Sequence, residues 1–544
     1  MIELKNVSFQ YSGSKRGVAN IDLMIKDGEC VVFTGKSGCG KTTITRLVNG
    51  LAPKYYKGTK TGNIYIAGEN IDKMQSYDIG EVVGSIFQDP QRQFFSSELE
   101  GEIAFGCENY GFSKFDIQSR TKSAIHKMRL ENIGNVSLDL LSSGEKQRTA
   151  VASVYAMHPQ VFVFDEPTAN LDKAGISQMK NILAELKKSG YTLLIAEHRI
   201  SWIGGLADRY LYMENGHIQK RYSALEFSTI NTRERISKGI RCTVDTPFTE
   251  MPTPSPTDNI AIRAEKVSLE KNKKQILKDV NIFVNEKSIT AITGSNGVGK
   301  TSLALILSGL EKLTEGNIYI HGEKAGYREL RKHTYYCSND TGTQFFTESV
   351  SKELLLGTKY DAENLENAKE LLKDMCLYEY KDSHPASLSG GQKQRLAVCC
   401  ALLSGKNILI FDEPTSGLDA ENMFLVARKL KKAAEKEKTI FVITHDEEFM
   451  DACCEYRINI DKTYKLKEED LKKYINMENG KYIIGVSKFS GNRQISEFID
   501  IEIKVDGIKE TIQYCKIIIK DVIDKKINVY FEKGINKEYT DFIT

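Results

Sequence analysis

Short apolar runs that stop at glycine or at polar residues recur along the chain and predict buried strands. The runs CVVF, VFVF, ILIF and TLLIA are almost wholly apolar, as expected for parallel strands that are covered on both faces. Segments of helical character, such as TAVASVYAM and LAVCCALLS, stand between such runs. Strands that alternate with helices predict an α/β fold.

The pattern occurs twice, because the chain contains an internal repeat. GKSGCGKTT returns as GSNGVGKTS, SSGEKQR returns as SGGQKQR, and FDEPTANLD returns as FDEPTSGLD. We therefore expect two tandem domains of one fold, residues 1–226 and 260–465, called here the first and second repeat. One constant spacing separates the matching members Gly144 and Gly391, Asp165 and Asp412, and His198 and His445.

Two further segments lie outside the repeats. Residues 227–259 include TPFTEMPTPSPTD, which is proline-rich and poor in apolar residues and therefore predicts an extended, solvated linker. Residues 466–544 have no counterpart in the first half of the chain. Within them KYIIGV, EFIDIEIKV and KINVYFEK have the β-branched content and alternation of strands. We interpret residues 466–544 as a small α+β appendage whose role the sequence does not assign.

Length and composition set limits on the function. The chain has 544 residues, 41% hydrophobic and 27% charged, which suits two to four globular domains. Its 75 basic and 73 acidic residues nearly balance, so charge gives no reason to expect nucleic acid as a partner. The 11 cysteines are scattered without a CxxC motif, which indicates reduced thiols. No signal-peptide core or apolar run of ~18 residues is present, so we expect a soluble or membrane-peripheral protein.

Each repeat carries a GxxxxGK[ST] loop between an apolar strand and a helix. In that setting the glycines let backbone N–H groups close around phosphates at a helix N-terminus. Lys41 and Lys300 would reach the β- and γ-phosphates, and Thr42 and Thr301 would bind Mg²⁺. Two such loops in one chain exclude a chance match. The loop residues that we assign to nucleotide binding are Gly35, Gly38, Gly40, Lys41, Thr42, Thr43, Gly294, Gly297, Gly299, Lys300, Thr301 and Ser302.

Adjacent carboxylates end an apolar strand in each repeat. A buried parallel strand would deliver Asp165 and Asp412 to Mg²⁺ at its C-terminal end. Glu166 and Glu413 follow, and strand alternation would point them the other way, which suits a general base for a water molecule. Such a pair is otherwise usually a solvated strand end. Its position after a phosphate-binding loop favours the functional interpretation.

A third motif, LSSGEKQR or LSGGQKQR, stands before the carboxylate strand in each repeat. Its serine can also cap the helix that follows. With these motifs the chain resembles the ATP-binding cassette ATPases over nearly all of residues 1–465. The resemblance implies two tandem P-loop NTPase domains, each with a helical subdomain, arranged head to tail. Each ATP would then lie between the P-loop of one repeat and the third motif, the signature, of the other.

The head-to-tail arrangement assigns signature residues to each site. We call the site of Lys41 the first site and the site of Lys300 the second site. The signature residues that would complete the first site are Ser389, Gly391 and Gln392, and those that would complete the second site are Ser142, Gly144 and Glu145.

The same resemblance implies roles for residues outside the three motifs. His198 and His445 follow apolar strands and would contact the γ-phosphate, although a lone histidine at a strand end is more often structural. Gln88 and Asn339 would reach Mg²⁺ and the attacking water. Tyr11 would stack on adenine, and the alternative is an exposed aromatic residue of a hairpin.

One segment resembles a subgroup, the ATPases of energy-coupling-factor transporters, which drive vitamin and metal-ion uptake in prokaryotes. The subgroup has a second glutamine and then an apolar pair in a short helix that receives the coupling helices of a membrane subunit. This implies an ATP- and Mg²⁺-dependent subunit on the cytoplasmic face of the membrane, partnered by a coupling subunit and a substrate-binding subunit. A buried phenylalanine pair in the helical subdomain is the alternative. The matching residues are Gln93, Phe94, Phe95, Gln344, Phe345 and Phe346.

A soluble twin-cassette ATPase that acts on the ribosome or another macromolecule is the other candidate class. Such translation factors typically join their cassettes by a long, charged helical linker. The proline-rich linker and the near-neutral charge of this chain disfavour that class.

The two sites differ in three residues. Asn339 stands in place of the glutamine found at Gln88, and its side chain is one carbon shorter. Lys271 stands where the first repeat has Tyr11, and Ser143 replaces a signature glycine, which adds a Cβ near the phosphates. All three changes fall on the second site. We therefore expect the second site to be slower than the first but not inactive.

Overall fold

The computed structural model describes residues 1–14, 16–169, 171–242, 251–254, 259–271 and 274–463, and five strands beyond them. The chain divides into two units, Met1–Ile460 and Asp461–Thr544. Both P-loops, both carboxylate strands and both signature motifs lie within the first unit.

The first repeat alternates strands and helices after an initial hairpin. Its strands are β1 (Ile2–Tyr11), β2 (Gly17–Ile25), β3 (Cys30–Gly35), β4 (Gly58–Ile66), β5 (Glu69–Asn70), β6 (Val83–Ile86), β7 (Val161–Asp165), β8 (Thr192–Ala196), β9 (Arg209–Glu214) and β10 (His217–Ser223). The helices of this part of the chain are α1 (Lys41–Val48), α2 (Leu51–Lys54), α3 (Ser76–Val82), α4 (Leu99–Asn109), α5 (Lys114–Lys127), α6 (Ser143–Ala156), α7 (Lys173–Lys188), α8 (Ala224–Ser228) and α9 (Thr232–Ser237).

The second repeat follows the same plan. Its strands are β11 (Ile260–Lys271), β12 (Lys274–Asn285), β13 (Ile289–Thr293), β14 (Glu315–Ile320), β15 (Glu323–Lys324), β16 (Thr334–Cys337), β17 (Ile408–Asp412), β18 (Thr439–Ile443) and β19 (Tyr456–Asn459). Its helices are α10 (Lys300–Leu307), α11 (Tyr327–His333), α12 (Val350–Leu355), α13 (Ala362–Asp374), α14 (Gly390–Leu403), α15 (Ala420–Glu435) and α16 (Glu447–Cys453).

A largely parallel sheet forms the centre of each repeat, and the two sheets share one strand order. The order is β6-β7-β8-β3-β9 in the first repeat, with β10 antiparallel at the edge, and β16-β17-β18-β13-β19 in the second. In each sheet one strand, β8 or β18, therefore lies between the strand that leads into the P-loop and the strand that ends in carboxylates. Because parallel strands end at one edge of a sheet, the loop, the carboxylates and the histidine that follows β8 or β18 meet there.

Both faces of the central sheet are buried, which explains the continuous apolar runs. Along β7, Phe162 and Phe164 pack on the side of α6 and α7, whereas Val161 and Val163 pack on the side of α1 and β1. A small antiparallel sheet, β2-β1-β4-β5 in the first repeat and β12-β11-β14-β15 in the second, covers one side. Helices α4–α6 and α12–α14 form the helical subdomains. The predicted α/β fold of two tandem P-loop domains is confirmed.

The predicted linker is not an extended chain at its start. The side chain of Asn231 accepts a hydrogen bond from the Glu234 amide and caps α9, and Ile240 and Arg241 are buried. The sequence analysis predicted an extended chain for TPFTEMPTPSPTD, and the capped helix and the buried residues precede that stretch. The proline-rich stretch that follows lies mostly outside the described residues.

The segment after α9 joins the two repeats through buried charges. The Arg241 guanidinium donates to Asp446 Oδ1 at 2.5 Å and to Glu448 Oε2 at 2.8 Å, and Arg235 donates to Glu448 Oε1 at 2.7 Å. The carbonyl of Gly239 accepts a hydrogen bond of 3.1 Å from the Ala420 amide. The start of the linker is thereby attached to the residues that follow His445 and to the N-terminus of α15.

The appendage contains strands where the sequence predicts them. β20 (Ile475–Glu478) pairs with β21 (Lys481–Ile484), and β22 (Phe498–Ile503), β23 (Ile512–Ile523) and β24 (Lys526–Glu532) form an antiparallel sheet. The three predicted strand segments are confirmed by β21, β22 and β24. The helical content that was predicted for the appendage lies outside the described residues.

We predict that Arg241→Met destabilises the first unit strongly. The change leaves Asp446 buried without its closest cation, and removal of one partner from a buried ion pair typically costs about 3–5 kcal/mol. The measurement is the free energy of unfolding from denaturant titration. The control is Lys173→Ala, which removes the ion pair between the exposed side chain of Lys173 and Glu447. This change should cost under about 1 kcal/mol. Equal, small losses for the two variants would contradict the role given to Arg241.

Candidate functional site

In each repeat the P-loop lysine folds back and donates to carbonyl oxygens of its own loop. Gly35 has φ +142°, and a Cβ there would lie 2.2 Å from the Met213 carbonyl oxygen, so this position requires glycine. The Lys41 ammonium donates to the carbonyl oxygens of Gly35 and Lys36 at 3.1 and 3.3 Å. The lysine therefore lies across the loop, with its charge directed at the space that the loop amides enclose.

The second P-loop has the same geometry. The Lys300 ammonium donates to the carbonyl oxygens of Gly294 and Ser295 at 2.8 and 2.9 Å. Helices α1 and α10 both begin at the P-loop lysine, so their free N-terminal amides face the same space in each repeat.

The residues assigned to magnesium lie together in both repeats. Thr42 Oγ1 donates to Asp165 Oδ1 at 3.1 Å, and Thr301 Oγ1 donates to Asp412 Oδ2 at 2.8 Å. Burial, followed by the charge of the neighbouring Glu166, raises the pKa of Asp165 to about 6. A hydroxyl and a carboxylate beside a phosphate-binding loop are the oxygen donors that Mg²⁺ accepts in nucleotide sites. The residues present therefore fit the ion.

The two glutamates differ from the sequence expectation in how they are oriented. Glu166 and Glu413 both have φ +48°, in the left-handed region that non-glycine residues rarely adopt. The backbone turn after the strand, rather than strand alternation, directs these side chains toward the sites. Burial raises the pKa of both, to about 7 for Glu413. A strained, buried carboxylate with a raised pKa is a feature of catalytic sites.

Different side chains surround the two glutamates. Gln88 Nε2 donates to Glu166 Oε2 at 3.1 Å, and His198 Nε2 lies 3.3 Å from Glu166 Oε1. Glu413 instead accepts a hydrogen bond of 3.1 Å from Thr444. Asn339 lines the second site.

The repeats face each other head to tail, and each P-loop contacts the other repeat. The amide of Ser37 donates to Asp419 Oδ2 at 2.7 Å, and the amide of Asn296 donates to Asp172 Oδ2 at 3.0 Å. These two aspartates follow the carboxylate strands, in NLD and GLD. Sequence reasoning missed their role, although their presence in both copies of the repeat was a usable signal.

The signature helices complete this arrangement. Ser142 and Ser389 each cap their helix in a reciprocal capping box, with Glu145 and Gln392 respectively. A Cβ on Gly391 would lie 3.9 Å from Ser37 Oγ of the other repeat. Gly144 is the equivalent residue in the sequence, but a Cβ there would meet only the Gly175 backbone of its own repeat, at 4.0 Å.

The second site encloses a cavity of about 350 Å³ that both repeats line. The first repeat contributes Ser143 and Leu171, and the second contributes the P-loop and the strand ends. Its polar lining includes Asn296, Lys300, Thr301, Asn339, Asp412, Glu413 and His445.

Both histidines are neutral; His198 is buried and His445 is partly buried. His198 Nε2 lies 3.1 Å from the Lys41 ammonium, and burial, then the charge of Lys41, holds its pKa well below the ordinary value. His445 Nε2 lies 3.1 Å from Asn296 Oδ1, and burial, then the charge of Lys300, lowers its pKa to about 4. Each ring can therefore donate one N–H at neutral pH.

The first site has an aromatic cluster where the second has an ion pair. The Tyr11 hydroxyl accepts a hydrogen bond of 3.1 Å from Arg46, whose guanidinium lies 3.9 Å from the centre of the Tyr56 ring. Lys271, at the position equivalent to Tyr11, instead pairs with Glu311 at 2.6 Å. Sequence reasoning did not identify Tyr56 or Arg46, because neither has a counterpart in the second repeat.

A tyrosine marks the second magnesium site. The Tyr336 hydroxyl donates to Asp412 Oδ2 at 3.1 Å, on the oxygen that also accepts from Thr301. Tyr336 pairs with Ile410 across β16 and β17, as Ser85 pairs with Val163 in the first repeat. Ser85 bonds Asn49 and not the carboxylate. This residue was also missed, since a tyrosine in a strand resembles ordinary sheet packing.

The segment after Gln88 exposes one phenylalanine and packs the other, partly buried, against the core. Phe94 packs against the core of the first repeat, whereas Phe95 is 76% exposed. Phe345 and Phe346, which is 80% exposed, repeat this arrangement in the second. Phe95 and Phe346 are called here the exposed phenylalanine pair.

The glutamines of the same segment hold its backbone in place. Gln93 accepts from the Phe87 amide at 3.3 Å and donates to the Ser85 carbonyl at 3.0 Å. Gln344 donates to the Tyr336 carbonyl at 3.2 Å. Their side chains therefore fix the loop to β6 and β16.

None of the helices in the described part of the chain combines the length and apolar character that a membrane span requires.

Comparison with known proteins agrees with this geometry. A family model described as ABC transporter matches residues 18–169 and 277–416. A putative ABC transporter ATP-binding protein of Treponema denticola is 39% identical over 461 residues, covering 84% of this chain and 94% of that protein. The putative HMP/thiamine import ATP-binding protein YkoD of Bacillus subtilis is 29% identical over 482 residues, covering 83% and 88%.

Solved structures support the tandem fold. A ribosome-bound archaeal Pelota and ABCE1 model has a chain that matches with TM-score 0.60 and 22% identity, over 83% of this chain and 76% of that one. At this identity the match concerns the fold alone. Together with the two P-loops, the paired carboxylates and the signature helices, these findings show that the chain belongs to the ABC transporter family, as an ATP-binding member that hydrolyses ATP with Mg²⁺.

Proposed function

We propose that this protein is the ATP-hydrolysing subunit of an energy-coupling-factor type importer for a vitamin or a metal ion. It would lie on the cytoplasmic face of the cell membrane and act on a coupling subunit, while a separate subunit binds the substrate. The observation that carries the proposal is the loop that follows β6 and β16. In the first repeat this loop begins at Gln88, whose side-chain amide donates to the Glu166 carboxylate. It ends at Phe95, whose aromatic side chain is exposed.

The chemistry of the sites follows from the side chains described above. The P-loop amides with Lys41 and Lys300 would bind the phosphates, and bound Mg²⁺ would neutralise charge on the transferring phosphate. Glu166 and Glu413 would accept a proton from the attacking water, a role that suits buried carboxylates with raised pKa values. His198 and His445 would donate their N–H to the γ-phosphate.

Coupling to a membrane subunit would pass through the same loop. Gln88 bonds Glu166, and Gln93 attaches the loop to β6 a few residues later. A change at the carboxylate on hydrolysis can therefore displace Gln88 and, through this fixed backbone, the exposed Phe95. Two large exposed apolar side chains in equivalent positions are the kind of surface that a partner covers.

The similar protein YkoD supports the choice of cargo class. Its name assigns it to HMP/thiamine import, and it covers 83% of this chain. We propose a small nutrient of this kind as the cargo. Substrate choice would belong to the separate membrane subunit.

We predict that Glu166→Gln combined with Glu413→Gln lowers ATP turnover by ~10²–10⁴-fold, because base catalysis is lost. Nucleotide binding should persist, since both P-loops are unchanged. Of the single variants, Glu166→Gln should cost more turnover, because the second site is the slower one. Phosphate release and nucleotide binding are the measurements. Wild-type turnover in the double variant would contradict the catalytic role, and equal losses in the single variants would contradict unequal sites.

The exposed phenylalanine pair predicts a separation between assembly and stability. Phe95→Ser with Phe346→Ser should abolish co-purification with multi-span membrane subunits and leave the melting temperature nearly unchanged. The matched control is Phe94→Ser with Phe345→Ser, which removes packed side chains and should cost roughly 1–3 kcal/mol each.

The assay for this prediction is affinity purification from membranes, followed by identification of the co-purifying subunits and their bound small molecule. Intact assembly in the Phe95→Ser, Phe346→Ser variant would rule out this docking surface. Co-purification with ribosomes instead of membrane subunits would overturn the importer proposal.

A further inference from the structure

In each site one P-loop residue faces one signature residue of the other repeat. The residue types of this pair differ between the two sites. In the first site, Ser37 of the P-loop faces the signature that contains Gly390. In the second site, Asn296 occupies the position of Ser37, and Ser143 occupies the position of Gly390. The change of both members places an amide opposite a hydroxyl in one site only.

In the second site these residues form a chain of hydrogen bonds that ends at the histidine. Asn296 Nδ2 donates to Ser143 Oγ at 2.8 Å across the interface between the repeats. Asn296 Oδ1 lies 3.1 Å from His445 Nε2. The first residue of α6, in one repeat, is therefore connected to the histidine of the other repeat through a single amide group.

The first site has no such chain. Ser37 Oγ is buried and has no hydrogen-bond partner in the part of the chain that the structure describes. A Cβ on Gly390 would meet nothing within 4 Å. His198 Nε2 faces Lys41 and Glu166 instead.

The backbone contacts between the repeats are alike at the two sites. The P-loop amides contact the opposite aspartate in both sites, at 2.7 Å in the first and 3.0 Å in the second. The repeats therefore approach each other similarly at both sites. Distance between the repeats does not explain why the hydrogen-bond chain occurs at one of them.

The direction of the bonds assigns a proton. Because the Asn296 amide uses its NH₂ group toward Ser143, its oxygen is left to accept from His445. A neutral imidazole carries one N–H, and here that N–H is the Nε2 proton. This is the proton that His445 would donate to the γ-phosphate under the proposed function of the site. Asn296 Oδ1 and the γ-phosphate therefore compete for one donor.

We propose that Ser143 is a positioning residue that restrains hydrolysis at the second site, by holding Asn296 in the orientation that occupies the His445 Nε2 proton. The inference rests on the proposed role of His445 but not on transport. ATP bound at the second site is hydrolysed only after His445 exchanges Asn296 for the γ-phosphate. Ser143 raises the barrier to that exchange, because it keeps the amide from rotating.

The test is single-turnover hydrolysis of γ-labelled ATP by the full chain without membrane partners. Two phases are expected, and Glu413→Gln identifies the slow phase by abolishing it. Ser143→Ala should accelerate the slow phase roughly two- to ten-fold, the range that one net hydrogen bond supplies. Ser143→Thr keeps the hydroxyl and should accelerate the slow phase less than Ser143→Ala does. Asn296→Ser, which copies Ser37, should accelerate it as Ser143→Ala does.

Combining Ser143→Ala with Asn296→Ser should give no further acceleration, since both changes break one chain of contacts. A merely structural role for Ser143 would slow both phases and add to the effect of Asn296→Ser. Melting temperatures of all variants establish that the fold is retained.

The first repeat provides a matched gain-of-function control. Ser37→Asn with Gly390→Ser rebuilds the pair in the first site and should slow the fast phase by a similar factor. Gly390→Ser alone adds the Cβ and hydroxyl without the amide and should slow the fast phase less than the double change does.

The proposal is overturned if Ser143→Ala leaves the slow phase unchanged or slows it further, if the combined variant is additive, or if hydrolysis has a single phase. Each of these results leaves the importer proposal standing, because that proposal fails on membrane co-purification instead.

Discussion

Both sites depend on one kind of contact, in which a carboxylate of one repeat accepts a hydrogen bond from a P-loop amide of the other repeat. Asp419 accepts from the Ser37 amide and Asp172 from the Asn296 amide, and each caps the helix that follows the carboxylate strand of its repeat. A P-loop amide that turns toward the opposite repeat is partly shielded from water and is satisfied by an acceptor there. The acceptor comes from the facing repeat, so neither site is complete within one repeat. We therefore propose that ATP binding and contact between the repeats are one process.

Local chemistry then breaks the symmetry that the duplicated fold provides. The first site has Gln88 on its catalytic carboxylate and an arginine between two tyrosines beside its P-loop helix. The second site has Tyr336 on its magnesium carboxylate, and Ser143 and Asn296 beside its histidine. Arg241 attaches the start of the linker to Asp446 and Glu448, which follow His445. The repeats therefore share a mechanism but need not share a rate.

The sequence predicted the parts of this structure that depend on short segments. The P-loops, the carboxylate strands and the signature helices are contiguous motifs, and the duplication identified their counterparts. Contacts between distant residues were not predictable in this way. Ser143 suggested only an added Cβ, because its hydroxyl has a function only once Asn296 of the other repeat is placed opposite it. The contact of Tyr336 with Asp412 depends on the register of β16 against β17. The segment that ends at Arg241 is held by acidic residues about 200 positions away.

Occupancy by ATP in paired variants tests the cross-repeat sites most directly, in the Glu166→Gln, Glu413→Gln background that retains nucleotide. Lys41→Ala and Ser389→Arg damage the same site if the sites are shared, so this pair should leave one tightly held ATP per chain. Lys41→Ala with Ser142→Arg damages both sites and should leave none. The opposite pattern, with ATP lost from the first pair and kept by the second, would show that each repeat uses its own signature and would contradict the account.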